Sequence, residues 1–383
     1  MEHITSDNIF ALPERFAPLK IIALESARTL GDQINWYLMD MADKAGFETD
    51  GFLVESACPR FASGDAKGII KESIRGDDLY IIVDVGNYSC TYDSFGMTCH
   101  MSSDDHYQDL KRIISAAGGK ACRINVIMPL LYGGRQHRRT YRESLDCAMS
   151  LQELEQMGVS NIITFDAHDP RVVNAIPLTG FDNVMPSYQA LKALFKKIPG
   201  YTPQKDKLMI VSPDEGGMSR NIFYASIMGT KLGMFYKRRD YSRLVNGRNP
   251  IVAHEYLGED VAGMDILVAD DMISSGESFL DIALELKKRK ANRIFTFVTY
   301  GIFTNGLEKF DKAYADGIID GVLCTNLTYA SDELKSRPWY VEVNCAKYIA
   351  YIIAAINHNT SVSDLLDPHD KIIQLLDKYG WGK

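Results

Sequence analysis

Several features of common protein classes are missing from this chain of 383 residues. Its 7 cysteines include no Cys-x-x-Cys pair, which argues against a zinc ribbon or a disulfide framework and favours reduced thiols. Acidic residues outnumber basic ones, giving a net charge of -8. We therefore do not expect binding of nucleic acid or of an anionic membrane to be its main function. The longest apolar run, near residues 348–356, is too short to span a bilayer, and no signal-peptide pattern opens the chain. We therefore expect a cytoplasmic protein with no nucleic-acid or membrane partner.

Low-complexity tracts and heptad arrays are also absent, whereas the hydrophobic content of 46% is ample for two or three globular cores. Short apolar segments predict strands, and amphipathic segments such as 144–157 and 187–197 predict helices between them. The predicted strands cover residues 20–24, 79–83, 124–128, 162–165, 208–211, 266–268 and 294–298. This alternation predicts an α/β protein with mainly parallel sheets and functional loops at the carboxyl ends of the strands.

Two of the predicted strands end in acids, one in Asp166 and the other in Asp270 and Asp271. This similarity suggests two related α/β halves joined around residue 180. We predict a first domain over residues 1–180, a second over 181–342, and a segment 343–383 that packs back on the first.

The most informative stretch is residues 266–278, in which an apolar strand leads into Asp270, Asp271 and a loop rich in serine. Helical spacing of apolar residues follows, so a helix should begin near Ser278. Its free N–H groups and positive dipole end favour a phosphate, and two carboxylates suit sugar hydroxyls or magnesium. Hydroxyl donors and close backbone approach would come from Ser274, Ser275, Gly276 and Ser278. The alternative is a strand followed by a serine N-cap, with both acids solvated.

A second loop, residues 129–139, places a Gly-Gly turn before Arg135, Gln136 and further basic residues. Arginine pairs with phosphate oxygens or stacks on a base, and glutamine hydrogen-bonds a base edge. This cluster suits a polyphosphate and a purine ring, although a solvated basic loop would have the same composition.

Taken together, the motifs resemble the ribose-phosphate diphosphokinase (phosphoribosyl diphosphate synthetase) family over roughly residues 20–366. The two acids and the small-residue loop match its ribose-phosphate loop. No G-x-x-x-x-G-K-[ST] loop indicates another kinase class. The other matching segments are Arg60–Asp65, Glu72–Gly76, Arg135–Gln136, Asp166–Pro170, Ser212–Arg220 and Lys237–Arg239.

The resemblance implies two phosphoribosyltransferase-like domains, the first binding ATP and the second ribose 5-phosphate. It implies magnesium-dependent transfer of the β,γ-diphosphoryl group of ATP to the sugar C1 hydroxyl, giving 5-phosphoribosyl 1-diphosphate and AMP. It also implies a homo-oligomer built from dimers, as in family hexamers. In such an assembly the Arg60–Asp65 loop reaches ATP bound to a neighbouring subunit.

The same resemblance assigns a role to each candidate residue. Phe61, Asp65, Arg135 and Gln136 would bind ATP, while Asp270, Asp271, Ser274, Ser275, Gly276 and Ser278 would bind ribose 5-phosphate. His168 and Asp214 would organise magnesium. Lys237 and Arg239 would be catalytic, neutralising charge on the transferring group.

Three residues depart from the family pattern: His137 replaces an acid, while Glu215 and Glu277 add acids beside the phosphates. These departures keep open a catalytically silent homologue that binds nucleotide and regulates a partner. A nucleobase phosphoribosyltransferase is the other alternative, because the Asp270 loop alone would serve either chemistry. The chain is longer than typical family members near residues 88–105 and after residue 368, and the sequence pattern assigns no role to either segment.

Overall fold

A computed structural model describes residues 15–239 and 251–382, without the side chains of residues 237–239 and 251–254. Packing divides the chain into two compact units. The first unit contains the described residues up to Pro186, together with Asn326–Tyr329 and Asn344–Asp367. The second contains the described residues of Ser187–Thr325, then Ala330–Val343 and the described chain from Pro368 onward.

The strands and helices of the described residues alternate along the chain. The strands are β1 (Leu19–Ala23), β2 (Ser56–Ala57), β3 (Ile69–Ile70), β4 (Asp78–Ile82), β5 (Thr91–Ser94), β6 (Met97–His100), β7 (Arg123–Ile127), β8 (Asn161–Phe165), β9 (Gly180–Val184), β10 (Leu208–Ser212), β11 (Lys231–Arg239), β12 (Ile251–Leu257), β13 (Asp265–Ile273), β14 (Ile294–Gly301), β15 (Gly321–Thr325) and β16 (Tyr340–Val343). The helices are α1 (Arg28–Lys44), α2 (Ser103–Ala117), α3 (Asp146–Gln156), α4 (Ser187–Lys196), α5 (Met218–Met228), α6 (Glu277–Lys288), α7 (Glu308–Ala315), α8 (Asp332–Lys335), α9 (Ala346–Asn357), α10 (Ser363–Leu366) and α11 (His369–Lys378). No helix in these ranges is long and apolar enough to cross a membrane.

The first unit is built on a five-stranded sheet in the order β1-β4-β7-β8-β9, in which every neighbouring pair is parallel. All residues of β4 are buried, as a strand covered on both faces requires. One apolar cluster packs the sheet against α2 and α3. The loops at the carboxyl ends of β7 and β8 hold two of the predicted motifs.

The second unit contains a seven-stranded sheet in the order β12-β11-β10-β13-β14-β15-β16. Its strand pairs are parallel except for β12, which runs antiparallel to β11 at one edge. β14 is buried along its whole length. β13 lies inside the sheet between β10 and β14, and its residues beyond Val268 extend past those paired with β10.

All seven strands expected from the apolar segments are present, and the expected helices correspond to α3 and α4. The helix expected near Ser278 begins one residue earlier, at Glu277. The predicted α/β class with two mainly parallel sheets is confirmed.

The residues after Val343 are shared between the two units. α9 and α10 belong to the first unit, where α9 packs against α1. α11 belongs to the second unit, where it packs against α4 and α5. Trp381 follows α11 and donates a hydrogen bond from Nε1 to Met228 O at 2.8 Å.

A buried carboxylate ties α9 to the first sheet. Asp78 is fully buried and accepts hydrogen bonds from Arg123 Nε at 2.8 Å and Nη2 at 2.6 Å. Asn125 Nδ2 and Asn357 Nδ2 each donate to the same carboxylate at 2.9 Å. Because Asn357 ends α9, this one charge joins β4, β7 and the returning helix.

We expect Asp78→Asn to destabilise the protein by about 3–5 kcal/mol, since it leaves the part-buried Arg123 without its counter-charge. Asp316→Asn, which removes only an exposed partner of Lys312, is the matched control and should cost at most about 1 kcal/mol. Urea unfolding followed by circular dichroism measures both. Equal midpoints for the two variants would contradict a structural role for Asp78.

Candidate active site

The two acids of the serine-rich loop lie at the carboxyl end of β13, as predicted. Asp271 is buried, and Asp270 is partly exposed. The chain then turns through Gly276, which has φ +81° and caps α6. A side chain at Gly276 would also collide with the Phe310 ring, because an added Cβ would lie 2.4 Å from that ring. Glycine is therefore required here both by conformation and by space.

The serines of this loop differ in exposure. Ser274 and Ser275 are half-buried, whereas Ser278 is exposed on the first turn of α6. Thr304 N–H donates to Ser274 O at 2.9 Å, which fixes the loop backbone. The loop thus combines an ordered backbone, a helix N-terminus and hydroxyl groups, as an anion-binding loop requires.

Glu277, which departs from the family pattern, forms an ion pair with Lys309. Its Oε1 accepts a hydrogen bond from Lys309 Nζ of α7 at 2.6 Å, and both side chains are exposed. This bond holds the pKa of Glu277 below its usual value. The added acid is therefore partly neutralised by a neighbouring lysine.

The carboxylates of the β13 acids influence each other. Burial, and next the charge of Asp271, raise the pKa of Asp270 above its ordinary value. Arg220 opposes this, with Nη1 at 3.6 Å from Asp270 Oδ1. Two adjacent acids that resist simultaneous ionisation form a site that a cation or a donor-rich ligand would stabilise.

Asp214 lies in the loop between β10 and α5. Its Oδ1 accepts a hydrogen bond from Gly217 N–H at 3.1 Å, which closes the turn. Asp214 is half-buried, whereas Glu215 is exposed. Asp214 also contributes to the raised pKa of Asp270, so the two loops share an electrostatic environment.

Asn221 connects these loops, and sequence reasoning missed it. This fully buried residue of α5 donates from Nδ2 to Ala269 O and Gly217 O, both at 2.8 Å. Its Oδ1 accepts from Ala269 N–H at 3.2 Å. The side chain therefore links Ala269 of β13, just before Asp270, to the turn that holds Asp214. A buried amide among the apolar positions of an amphipathic helix was the available signal.

The predicted catalytic residues Lys237 and Arg239 belong to β11 by their backbone. Their backbones pair with His254 and Ile251 of β12. Both side chains lie outside the described part of the structure, so their role stays a prediction.

In the first unit, Phe61 and Asp65 lie at the tip of the loop between β2 and β3. Phe61 N–H donates to Asp65 O at 2.7 Å, and Gly64 N–H donates to Phe61 O at 2.8 Å. The Phe61 ring is 55% exposed, so it is available to a ligand instead of filling a core. Asp65 is exposed as well.

Arg135 is exposed on the loop after β7, while Gln136 is tied into it. Gln136 Nε2 donates to Ser144 O at 2.8 Å, which closes the loop. The next residue, His137, contacts Asp169 after β8, with Nε2 at 3.4 Å from Oδ2. This pair links the two loops, and the acid at Asp169 was another feature that sequence reasoning did not single out.

His168 is exposed beside this pair, and its ring centroid lies 5.4 Å from that of His137. Burial lowers the pKa of His137 despite the opposing charge of Asp169, and His168 lowers it further. Hydrogen bonds from Arg171 hold the pKa of Asp169 well below its usual range. The turn therefore presents an exposed imidazole next to an ionised carboxylate.

Among the described residues, no group of three or more His, Cys, Asp and Glu side chains is arranged to hold a metal ion. Magnesium, however, takes few protein ligands, since substrate phosphates and waters complete its shell. The oxygen donors at Asp214, Asp270 and Asp271 fit that chemistry.

Two protein-family models match the chain. Residues 19–158 match the N-terminal domain of ribose phosphate pyrophosphokinase, and residues 180–320 match the phosphoribosyl transferase domain. The chain belongs to the ribose-phosphate pyrophosphokinase family. The predicted family is therefore confirmed.

Curated members of this family align over most of their length. A ribose-phosphate pyrophosphokinase of Pasteurella multocida is 27% identical over 314 residues, covering 81% of this chain and 90% of the relative. One from Mycoplasma genitalium is 26% identical over 314 residues, covering 82% and 86%. The phosphoribosylpyrophosphate synthetase structure from Mycobacterium smegmatis, 20% identical, superposes with a TM-score of 0.70 over 89% of this chain and 99% of its own. The fold is thus that of the family.

We predict that Asn221→Ala lowers the free energy of unfolding by about 1–3 kcal/mol, because the N–H and C=O of Ala269 lose a buried partner. Ser219→Ala, on an exposed position of the same helix, should change it by less than about 0.5 kcal/mol. Thermal unfolding measures the difference. A loss no greater than that of the control would remove Asn221 from its linking role.

The pKa of Asp270 should respond to its two charged neighbours in opposite directions. Asp271→Asn removes a like charge and should lower that pKa, whereas Arg220→Met removes an opposite charge and should raise it. Carboxyl carbon NMR titration of the labelled protein measures both shifts. An unchanged pKa in both variants would show that burial alone sets it.

Proposed function

We propose that this chain transfers the β,γ-diphosphoryl group of ATP to the C1 hydroxyl of ribose 5-phosphate, giving 5-phosphoribosyl 1-diphosphate and AMP for nucleotide synthesis. Family membership makes it a ribose-phosphate diphosphokinase. The assignment to residues is supported by two acids near the carboxyl end of β13, followed by an ordered serine-rich loop and the start of α6.

Ribose 5-phosphate binds at this loop. The free N–H groups at the start of α6 and the hydroxyls of Ser274, Ser275 and Ser278 hold the phosphate. Gly276 lets the backbone approach it closely. Asp270 and Asp271 accept hydrogen bonds from the ribose hydroxyls, and the raised pKa of Asp270 falls when those donors arrive.

ATP binds to residues of the first unit. The exposed Phe61 ring covers the base, and Asp65 contributes a hydrogen-bond acceptor at the same tip. The guanidinium of Arg135 pairs with phosphate oxygens. Gln136 contributes its side-chain oxygen to the base, because its nitrogen is already bonded to Ser144.

Magnesium would neutralise the triphosphate when bound. His168 and Asp214 would organise it. The ionised Asp169, adjacent in sequence to His168, adds negative charge at that turn. The exposed Glu215 adds further charge next to Asp214.

Lys237 and Arg239 stabilise the transferring group. Diphosphoryl transfer passes through a state with charge spread over equatorial oxygens, and fixed cations lower its energy more than that of the ground state. Placement in a homo-oligomer, built from dimers as in the family, brings the Phe61 loop to ATP. The seven free cysteines are consistent with a reducing cytoplasm.

The deciding experiment incubates the purified protein with magnesium, ATP and ribose 5-phosphate and follows AMP and 5-phosphoribosyl 1-diphosphate by chromatography. Equimolar formation of both supports the proposal. Tight ATP binding without AMP supports the regulatory homologue that the departures at His137, Glu215 and Glu277 raise. Formation of a nucleotide from added nucleobase and 5-phosphoribosyl 1-diphosphate supports the phosphoribosyltransferase instead.

We expect Lys237→Ala to lower kcat by about 10²–10³-fold, because a cation that acts on the developing charge is lost. The Kd for ribose 5-phosphate should change by less than about threefold, since that ligand binds elsewhere. Lys231→Ala, at the start of the same strand, removes an exposed lysine paired with Glu259 and is the control. Undiminished turnover in Lys237→Ala would remove this lysine from the mechanism.

A further inference from the structure

The extra sequence near residues 88–105 forms a β-hairpin. β5 pairs with β6 in antiparallel register, with Ser94 opposite Met97. The two residues between them, Phe95 and Gly96, have φ values of +50° and +75°. This is the backbone of a type I′ turn, which favours Asn-Gly. Phenylalanine is therefore an unfavourable residue at the first of these positions.

The hairpin contacts the loop that carries Phe61. Phe95 N–H donates to Ala62 O at 2.9 Å, and Ser94 Oγ donates to the same carbonyl at 3.3 Å. Gly64, at the other side of the loop tip, approaches the hairpin so closely that an added Cβ would lie 3.2 Å from Ser94 Oγ. The tip thus touches the hairpin through both backbone and side chain.

The base of the loop is held by α2. The Arg60 guanidinium is largely buried and makes two hydrogen bonds to Asp109, at 2.6 Å and 2.9 Å. On its other side, the Tyr92 ring of the hairpin lies 5.0 Å from Arg60 Cζ. The loop is therefore fixed at its base by a buried ion pair and at its tip by the hairpin.

The Phe95 side chain gains little from burial, since it is 77% exposed. Its left-handed backbone is nevertheless required for the turn, and the turn directs the Phe95 N–H to Ala62. Backbone strain of this kind persists only where the surrounding contacts determine the conformation.

We propose that the hairpin Thr91–His100 is a positioning element, which holds the loop Phe61–Asp65 in one conformation ready for the base of ATP. The inference rests on the proposed function, in which Phe61 and Asp65 bind ATP. A loop that is already ordered loses less conformational entropy on binding, so its affinity for the nucleotide is higher. The hairpin contributes to ATP affinity without touching the reacting groups.

The hairpin can be deleted without separating the residues on either side of it. Met101 N–H donates to Cys90 O at 2.8 Å, so the two ends of the hairpin are already adjacent. Replacing residues 91–100 by Asn-Gly closes the gap with a short turn. The KM for ATP should rise about tenfold, while kcat and the KM for ribose 5-phosphate stay within about twofold. An unchanged KM for ATP overturns the inference.

Phe95→Asn is the matched control. Asparagine suits the turn and retains the N–H that reaches Ala62, so this variant should keep the KM for ATP of the unaltered protein. A rise equal to that of the deletion would mean that the Phe95 ring itself binds the nucleotide, which overturns the positioning role. If the deletion variant fails to fold, the Tyr92→Ala/Ser94→Ala double variant removes two side-chain contacts to the loop without changing the chain length. Its KM for ATP should also rise, and an unchanged KM overturns the inference.

Calorimetric binding of magnesium-ATP separates this inference from the proposed function. A protein that binds ATP and forms no AMP contradicts the diphosphokinase reaction. In that protein a higher Kd for ATP in the deletion variant still supports the hairpin's role, and an equal Kd overturns it. A protein that binds no ATP at all overturns both.

Discussion

The geometry of the candidate site in the second unit depends on the buried side-chain amide of Asn221. Backbone pairing fixes β10 beside β13, but it does not fix the loops that follow them. The amide donates hydrogen bonds to Ala269 in β13, next to Asp270, and to Gly217 in the turn after β10. Removing this amide would take a hydrogen-bond partner from the buried N–H and C=O of Ala269, so the amide opposes separate movement of the two segments. A ligand that contacts both loops meets a site whose shape is already set.

The loops of the first unit are tied by polar side-chain contacts instead. Arg60 with Asp109 anchors the Phe61 loop, and His137 with Asp169 joins the loops after β7 and β8. Deeper in the sheet, Asp78 collects hydrogen bonds from β7 and from α9. Removing one partner of the buried Arg60–Asp109 pair would leave an uncompensated buried charge, which is strongly destabilising. The position of each loop therefore depends on side-chain contacts with other segments of the same unit.

Local pattern was enough to predict the sheets and the principal loops. A short run of apolar residues predicts a buried strand such as β13, and the two acids followed by serines predict the loop that leads from it to α6. The same pattern could not show that Glu277 pairs with Lys309, because the partner lies 32 residues away on another helix. Asn221, Asp169 and the hairpin were missed for the same reason, since their importance comes from partners distant in sequence. The turn at Phe95 lacks the asparagine by which such turns are usually identified.

Gly276 is buried at the start of α6, in contact with an aromatic ring of α7. The Phe310 ring lies directly against Gly276, and its centroid is 5.4 Å from that of the buried Trp339. Trp339 is one of 3 tryptophans in the chain, and Trp36, on α1 of the first unit, is largely exposed. Indole emission depends on polarity and packing, so the buried Trp339 should emit at a shorter wavelength than the exposed Trp36, while the third tryptophan, Trp381, is partly exposed. The emission of Trp339 should therefore be sensitive to movement of the Phe310 ring, which lies against Gly276 in the loop that we predict to bind phosphate.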